Sequence, residues 1–133
     1  MSPWTRMGRF ALVGGAATAV HLAVGGSAIA AGVPPLVANT VAFGAAFAAS
    51  FAGHYGFTFA GNGAAFGGSL ARFLAVALLG FAVNQGLLSA LLASTSIVPL
   101  GAFFLATAVT ALLTFALARG WAFRGPPETG RDR

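Results

Sequence analysis

Residues 73–118 read FLAVALLGFAVNQGLLSALLASTSIVPLGAFFLATAVTALLTFALA and contain no Asp, Glu, Lys or Arg. The chain between Arg9 and Arg72 is equally free of charged residues, and each uncharged block starts with a Phe directly after an Arg. A protein in water keeps charged side chains on its surface, and blocks of this length provide none. The sequence therefore predicts an integral membrane protein.

The composition supports this prediction and excludes several classes of function. Of 133 residues, 58% are hydrophobic and 7% are charged, and the length is that of a single domain. Both acids, Glu128 and Asp132, lie in the C-terminal tail, and all seven basic residues are arginines. These arginines flank apolar runs, so the net charge of +5 does not indicate a nucleic-acid partner. The absence of Cys excludes a disulfide framework, a thiol nucleophile and a thiolate metal site.

The first thirty residues also resemble a signal peptide, with a basic start and an Ala28-Ile29-Ala30 segment of the cleavage-site type. We favour a membrane span there for two reasons. The apolar run is about 20 residues long, which is enough to cross a bilayer. The same Arg-Phe start also recurs at Arg72, where no signal peptide can lie.

A spanning helix needs roughly 20 apolar residues at about 1.5 Å each, and the sequence offers four such runs. We predict an all-α membrane protein with four transmembrane helices. The transmembrane domain covers residues 10–123, between a cytoplasmic N-terminus (1–9) and a cytoplasmic tail (124–133). The spans are predicted at about 10–31, 36–53, 70–93 and 100–118, with short turns containing Pro inside each pair and a central loop at 54–69.

The arginines predict the orientation. They lie at the N-terminus, beside the central loop and around the C-terminal tail, whereas the two short turns contain none. Positive charge is retained on the cytoplasmic side of a membrane. We therefore expect a multi-pass protein of the cytoplasmic (inner) membrane with both termini in the cytoplasm.

The chain also repeats itself. Arg9-Phe10 matches Arg72-Phe73, and the Phe51–Phe59 segment matches Phe115–Phe123, at offsets of 63 and 64 residues. Each half is one helical hairpin that starts and ends on the same side. We therefore predict two parallel repeats related by an axis along the membrane normal, as in one class of transporters.

Few polar residues lie within the predicted spans, and each is a candidate for function. His21 and Asn84 occupy equivalent places in the two halves, Gln85 is next to Asn84, and Asn39 lies near the outer end of the second span. Polar groups at a repeat interface can bind substrate. The alternative is that they only hydrogen-bond between helices. Three threonines share one face of the fourth span: Thr107, Thr110 and Thr114. They either line a polar groove or, as we favour, bond their own backbone carbonyls.

Arginines and aromatic residues provide two further candidates. Arg9, Arg72 and Arg119 mark inner ends of spans; they either set topology alone or bind a lipid phosphate, since guanidinium groups bind phosphate bidentately. Phe43, Phe47 and Phe51 form an i, i+4, i+8 ridge that either packs against neighbours and lipid or supports an isoprenoid chain. Small residues four apart permit close helix packing, such as Gly44 with Ala48 and Ala49 with Gly53.

No constellation of catalytic or metal-binding residues is visible. The spans contain no carboxylate, no paired His, no His-acid couple and no Gly-rich loop before a Lys. We therefore expect no enzymatic activity, no cofactor and no metal. An exporter driven by protons usually has an acidic residue within the membrane, so a small multidrug exporter is disfavoured.

Several landmarks in order resemble the GtrA-like family of small four-helix membrane proteins. They are Arg9-Phe10-x-x-Val13-Gly14-Gly15-x-x-Thr18, Ala38-Asn39, the Phe51–Phe59 segment, Arg72-Phe73 and the Phe115–Phe123 segment. The resemblance covers nearly the whole chain. It implies that the protein moves a polyprenyl-phosphate-linked sugar across the membrane for cell-surface polysaccharide synthesis, often beside a glycosyltransferase that makes this lipid.

Two hypotheses follow from the residues and the resemblance together. In the first, the chain flips the lipid-linked sugar, with Arg9, Arg72 and Arg119 at the phosphate and with His21, Asn39, Asn84 and Gln85 along the headgroup path. Its partners would be the lipid-linked sugar, membrane lipids, a glycosyltransferase and further copies of itself in a homo-oligomer. In the second, the chain is a scaffold that anchors the glycosyltransferase without transporting anything.

Overall fold

The computed structural model describes residues 3–58 and 66–122, and these form four α-helices. They are α1 (Pro3–Ala30), α2 (Pro35–Thr58), α3 (Phe66–Ser94) and α4 (Pro99–Ala122). The second helix of each hairpin begins at a proline, at Pro35 and at Pro99, because the fixed φ of proline suits the first helical position and its missing N–H is not needed there. These two prolines are also one repeat length apart.

The end of α1 is fixed by Gly32. The Gly32 N–H donates to the Ile29 carbonyl at 2.9 Å, and the Val33 N–H donates to the Ala28 carbonyl at 3.0 Å. This pair of bonds is a Schellman motif, which requires a left-handed residue after the helix. Gly32 has φ 91°, a conformation that glycine adopts without steric cost. The chain can therefore reverse direction within the short turn before α2.

The helices have the length and polarity that membrane crossing requires. Three stretches are long and apolar enough to span: Ala11–Ala30, Pro35–Gly56 and Leu74–Ser94. The described apolar stretch of the fourth helix, Pro99–Thr114, is shorter, although α4 itself continues to Ala122. The predicted fold class of an all-α membrane protein built from two helical hairpins is confirmed, and the protein crosses the membrane several times.

The helices extend beyond the predicted spans. α1 begins at Pro3 and not near residue 10, and the predicted central loop at 54–69 is helical at both ends, up to Thr58 and again from Phe66. Backbone hydrogen bonding continues past the edge of an apolar segment, so a helix and its membrane-crossing part have different ends. The predicted division into N-terminus, transmembrane domain and tail stays a prediction; residues 124–133 lie outside the described part of the chain.

The four helices form an up-down-up-down bundle. Within each hairpin the helices pack on each other, and α1 also packs against α4 while α2 packs against α3. Across the centre, α2 reaches α4. In the described residues α1 and α3 do not meet. We call the end that carries turns 31–34 and 95–98 the turn end, and the opposite end the loop end.

A small core explains why α2 and α4 approach across the centre. Its fully buried residues are mostly alanines, with one Leu and one Phe: Ala38, Ala42, Leu88, Ala102, Phe103 and Ala106. Small side chains let helix backbones come close, and in a lipid environment this packing replaces the hydrophobic effect as the force that holds helices together. The large apolar side chains lie outside instead, with Leu12 75% and Val76 70% exposed. This distribution is that of a protein solvated by lipid.

Candidate functional site

Asn39 lies at the centre of a polar cluster that connects three helices. Its side chain is 0% exposed, and its amide nitrogen donates to Asn84 Oδ1 at 2.7 Å and to Gln85 Oε1 at 2.6 Å. Its carbonyl oxygen lies 3.0 Å from His21 Nε2. An amide oxygen can only accept a hydrogen bond, so His21 Nε2 is the donor in this pair. We call His21, Asn39, Asn84 and Gln85 the polar cluster.

The cluster continues in two directions from α3. Asn84, which is 6% exposed, donates through Nδ2 to Thr110 Oγ1 on α4 at 3.3 Å. Gln85 points the other way: its Nε2 donates to the Leu36 carbonyl at 3.1 Å and lies 3.5 Å from Thr40 Oγ1. Thr40 is exposed on the bundle surface. A continuous hydrogen-bonded path therefore runs from the buried core to the outside of the bundle between α2 and α3.

His21 is held on its other side by the second hairpin. Its ring stacks on Phe103 with centroids 5.3 Å apart and planes at 12°. The Phe103 ring fits in a notch at Gly25, where a Cβ atom would overlap ring carbons Cζ and Cε2 and would lie 3.1 Å from the Ala42 Cβ. Gly25 is needed there because any side chain would displace the ring. This close approach positions His21 against both the polar cluster and the core.

The cluster is asymmetric with respect to the sequence repeat. His21 and Asn84 are equivalent at an offset of 63 residues, and both contact Asn39. At the offset of 64 that relates Phe51 to Phe115, the counterpart of Asn39 is Phe103. One hairpin thus supplies an amide to the centre, and the other supplies an aromatic ring. The polar path opens between α2 and α3, and we find no equivalent path between α1 and α4 in the described residues.

The cluster lies inside the membrane-spanning region. At 1.5 Å per residue, Asn39 is about 6 Å from the start of α2 at Pro35, and Asn84 is about 15 Å from the end of α3 at Ser94. In the described part of the chain every buried side-chain nitrogen and oxygen has a hydrogen-bond partner. Satisfied polar groups are what a bundle requires at this depth, since an unpaired one in hydrocarbon costs several kcal/mol.

An aromatic ladder continues from the cluster toward the loop end. Along α2, Phe43, Phe47, Phe51 and Tyr55 follow at successive centroid distances of 6.1, 6.2 and 5.9 Å. Phe43 also stacks on Phe81 of α3, with centroids 4.5 Å apart. We call these five residues the aromatic ladder. Phe43 and Phe81 place its turn-end part at the α2–α3 contact, where Gln85 and Thr40 also lie.

The structure brings together four of the seven residues predicted to bind substrate. His21, Asn39, Asn84 and Gln85 are in one network, whereas Arg9 is exposed on α1, about 18 Å along the helix from His21. The side chains of Arg72 and Arg119 lie outside the described part. A binding role for any of the seven stays a prediction.

Sequence reasoning missed two members of this site, Thr40 and Phe103. For Thr110 a bond to its own backbone was favoured over a place in a polar groove, and its hydroxyl accepts a hydrogen bond from Asn84. The backbone bond is confirmed for Thr107, whose hydroxyl donates to the Phe103 carbonyl at 2.9 Å. Only helix spacing was available as a signal, and it places Thr107 and Thr110 on one face without indicating which of them meets Asn84.

Comparison with known proteins agrees with the order of landmarks along the chain. Residues 9–123 match the family described as GtrA/DPMS, transmembrane domain. No curated protein and no solved structure is significantly similar to the chain. The matched domain indicates a membrane protein of glycosyl-lipid-related processes. Since the match covers most of the chain, the protein belongs to the GtrA/DPMS transmembrane-domain family.

Proposed function

We propose that the protein flips a polyprenyl-phosphate-linked sugar across the cytoplasmic membrane for cell-surface polysaccharide synthesis. The observation that carries this proposal is the polar cluster within the spanning region, which reaches the lipid-facing surface between α2 and α3. A sugar headgroup needs donors and acceptors while it crosses roughly 30 Å of hydrocarbon. The neutral amides of Asn39, Asn84 and Gln85 supply both. The family supports this class of substrate.

The hydrogen bonds of the cluster are suited to exchange with a ligand. Interhelical hydrogen bonds in membranes contribute only about 0.6 kcal/mol each on average. Sugar hydroxyls can therefore replace them at little net cost, and the cluster re-forms when the headgroup leaves. Because His21 and Gln85 are half-buried, we propose that they meet the headgroup first, while the fully buried Asn39 orients both.

The phosphate requires a separate site. We propose that Arg9, Arg72 and Arg119 bind it at the loop end, where the lipid arrives from the cytoplasmic leaflet. We also propose that a glycosyltransferase supplies the substrate and that copies of the chain associate, because four short helices enclose little volume for a sugar.

The orientation has a direct test. The native chain has no Cys, so single cysteines can be labelled without background. We expect Val98→Cys, 68% exposed at the turn end, to react with a membrane-impermeant maleimide in intact cells. Thr5→Cys should react only after permeabilisation. The reverse labelling pattern would place the termini outside and would contradict the positive-inside assignment.

Transport itself is tested by reconstitution. Purified protein in liposomes with a fluorescent polyprenyl-phosphate sugar should make the inner-leaflet headgroup accessible to an external quencher faster than protein-free liposomes do. Liposomes with a boiled sample serve as the control for leakage. If scrambling equals that of empty liposomes even when the glycosyltransferase is present, the transport proposal is wrong.

A scaffold function remains as the second candidate, because the cluster is already fully hydrogen-bonded and can serve purely to hold helices together. Replacing His21 and Asn84 by Leu separates the two functions. A translocator should lose about tenfold or more of its scrambling rate, equal to about 1.4 kcal/mol at the barrier. A scaffold should still co-purify with its glycosyltransferase and support the same sugar transfer. Val76→Leu, on the lipid-facing surface, is the matched control.

A further inference from the structure

The inward side of α4 is closed toward the turn end and opens toward the loop end. Phe103 is 0% exposed and Thr107 is 8% exposed. Further along the same side, Thr110 is half-buried and Thr114 is exposed. This side faces the bundle, because Asn84 of α3 donates to Thr110 Oγ1 at 3.3 Å. A residue on the inward side can be exposed only where the neighbouring helices do not reach it.

The turn of α4 after Thr110 is uncovered on every side. Four consecutive residues are all exposed: Ala111, Leu112, Leu113 and Thr114. Four residues make slightly more than one helical turn, so none of the described helices packs on α4 at this level. The facing side of α3 changes in the same way, from Leu88, which is 0% exposed, to Leu74, which is 37% exposed. The second hairpin is therefore splayed at the loop end.

The first hairpin shows the closed arrangement at the same level. A Cβ built on Gly53 of α2 would lie 3.0 Å from Cγ1 of Val13 on α1, and the next residue, His54, is buried. At the repeat offset of 64, the counterpart of Thr114 is Ser50, which is half-buried. Within the described helices, the opening is thus a feature of the second hairpin and not of the whole loop end.

Two hydroxyls on the opened side have unused hydrogen-bonding capacity. Other threonines of the chain donate to the backbone carbonyl four residues earlier: Thr18, Thr40, Thr95 and Thr107. Among the residues that the structure describes, Thr110 only accepts a bond, from Asn84, and Thr114 makes none. A hydroxyl at this depth needs a partner, and a bond to its own backbone was open to both. Their arrangement instead favours water as the partner.

We propose that the splayed half of the second hairpin encloses a water-filled vestibule, which opens at the loop end and ends at the Asn84–Thr110 bond. Thr110 lies about 16 Å and Thr114 about 22 Å along α4 from Pro99. The vestibule therefore reaches about the middle of a hydrocarbon layer roughly 30 Å thick. Through it the sugar headgroup reaches the polar cluster while still hydrated; this part rests on the proposed function.

Cysteine reactivity tests for water in the vestibule. The chain has no Cys of its own, and a thiol reacts as the thiolate, which hydrocarbon disfavours. In nanodiscs, Thr114→Cys in the full chain should react with a positively charged methanethiosulfonate about tenfold or more faster than Leu112→Cys. Leu112 is 69% exposed and lies at the same depth on the opposite side of α4. Equally slow reaction at positions 112 and 114, with helicity unchanged by circular dichroism, would overturn the vestibule.

The labelled protein then tests the route of the headgroup. The attached trimethylammonium group occupies the vestibule, so labelled Thr114→Cys should scramble the fluorescent polyprenyl-phosphate sugar about tenfold more slowly than before labelling. Labelled Val98→Cys, modified at the turn end, should keep its rate. Fast labelling at position 114 without loss of scrambling would overturn the route. If the native chain does not scramble at all, the proposed function fails, and the labelling rates alone decide whether the vestibule exists.

Discussion

Replacing Asn39 by Ala is expected to lower the free energy of unfolding by about 2–4 kcal/mol. The change removes three hydrogen bonds, to His21, Asn84 and Gln85, which contribute about 0.6 kcal/mol each between membrane helices. The larger part comes from Asn84 and Gln85, whose amide oxygens lose their donor inside the bundle, because a buried unsatisfied group costs about 1–3 kcal/mol. The measurement is the SDS mole fraction at half-unfolding in mixed micelles, followed by circular dichroism.

Val41→Ala is the matched control for this measurement. Val41 lies two residues further along α2 and is 56% exposed, so its truncation should change the free energy of unfolding by less than about 0.5 kcal/mol. Equal midpoints for Asn39→Ala and Val41→Ala would show that the polar cluster does not hold the helices together.

Gly25→Ala is expected to destabilise the bundle by about 1–3 kcal/mol, the range for overpacking a tight core. In an open helix the same substitution is favourable by up to about 1 kcal/mol, so the sign of the effect is diagnostic. The added Cβ would overlap the tip of the Phe103 ring. That ring is fully buried and stacked on His21, so it has little room to move away. The same SDS titration measures the change.

Gly44→Ala provides the comparison, because nothing lies within 4 Å of a Cβ built at Gly44. We expect this variant to be unchanged or slightly more stable. A second test combines Gly25→Ala with Phe103→Leu, which shortens the opposing side chain. The loss of unfolding free energy in the double variant should be smaller than the sum of the two single losses. The difference should exceed the usual additivity error of about 0.5 kcal/mol. If Gly44→Ala is destabilised, or if the effects at Gly25 and Phe103 are additive, the close packing of the Phe103 ring on Gly25 is contradicted.

The helices and their hairpins could be predicted because the signals for them are local. Charge-free runs, arginines at span ends and prolines at helix starts each act within a few residues of where they occur. The composition of the polar cluster was also predictable, because His21, Asn39, Asn84 and Gln85 are conspicuous within apolar spans. A polar group at this depth must find a partner, and these residues are the natural partners of one another.

The rotation of each helix about its axis could not be predicted. Hydrophobic periodicity normally reveals which face is buried, but a membrane helix is apolar on every side. The sequence therefore gave no reason to select Phe103 or Thr40 over their neighbours. The chain has nineteen glycines, and the small-residue pattern indicated Gly44 and Gly53. A Cβ added at Gly44 would have no atom within 4 Å, whereas one added at Gly53 would lie 3.0 Å from Val13. It did not indicate Gly25, which receives the Phe103 ring.

The mismatch between Asn39 and Phe103 makes the two hairpins complementary and no longer interchangeable. A bundle assembled from two first hairpins would place two amides at its centre and provide no ring to fill either Gly25 notch. One made from two second hairpins would place two phenyl rings there, with Leu88 and Ser89 at the notch position and no amide to receive Asn84. Each half fits only the other at the centre of the bundle, so two identical hairpins would lose the packing that the tandem chain provides.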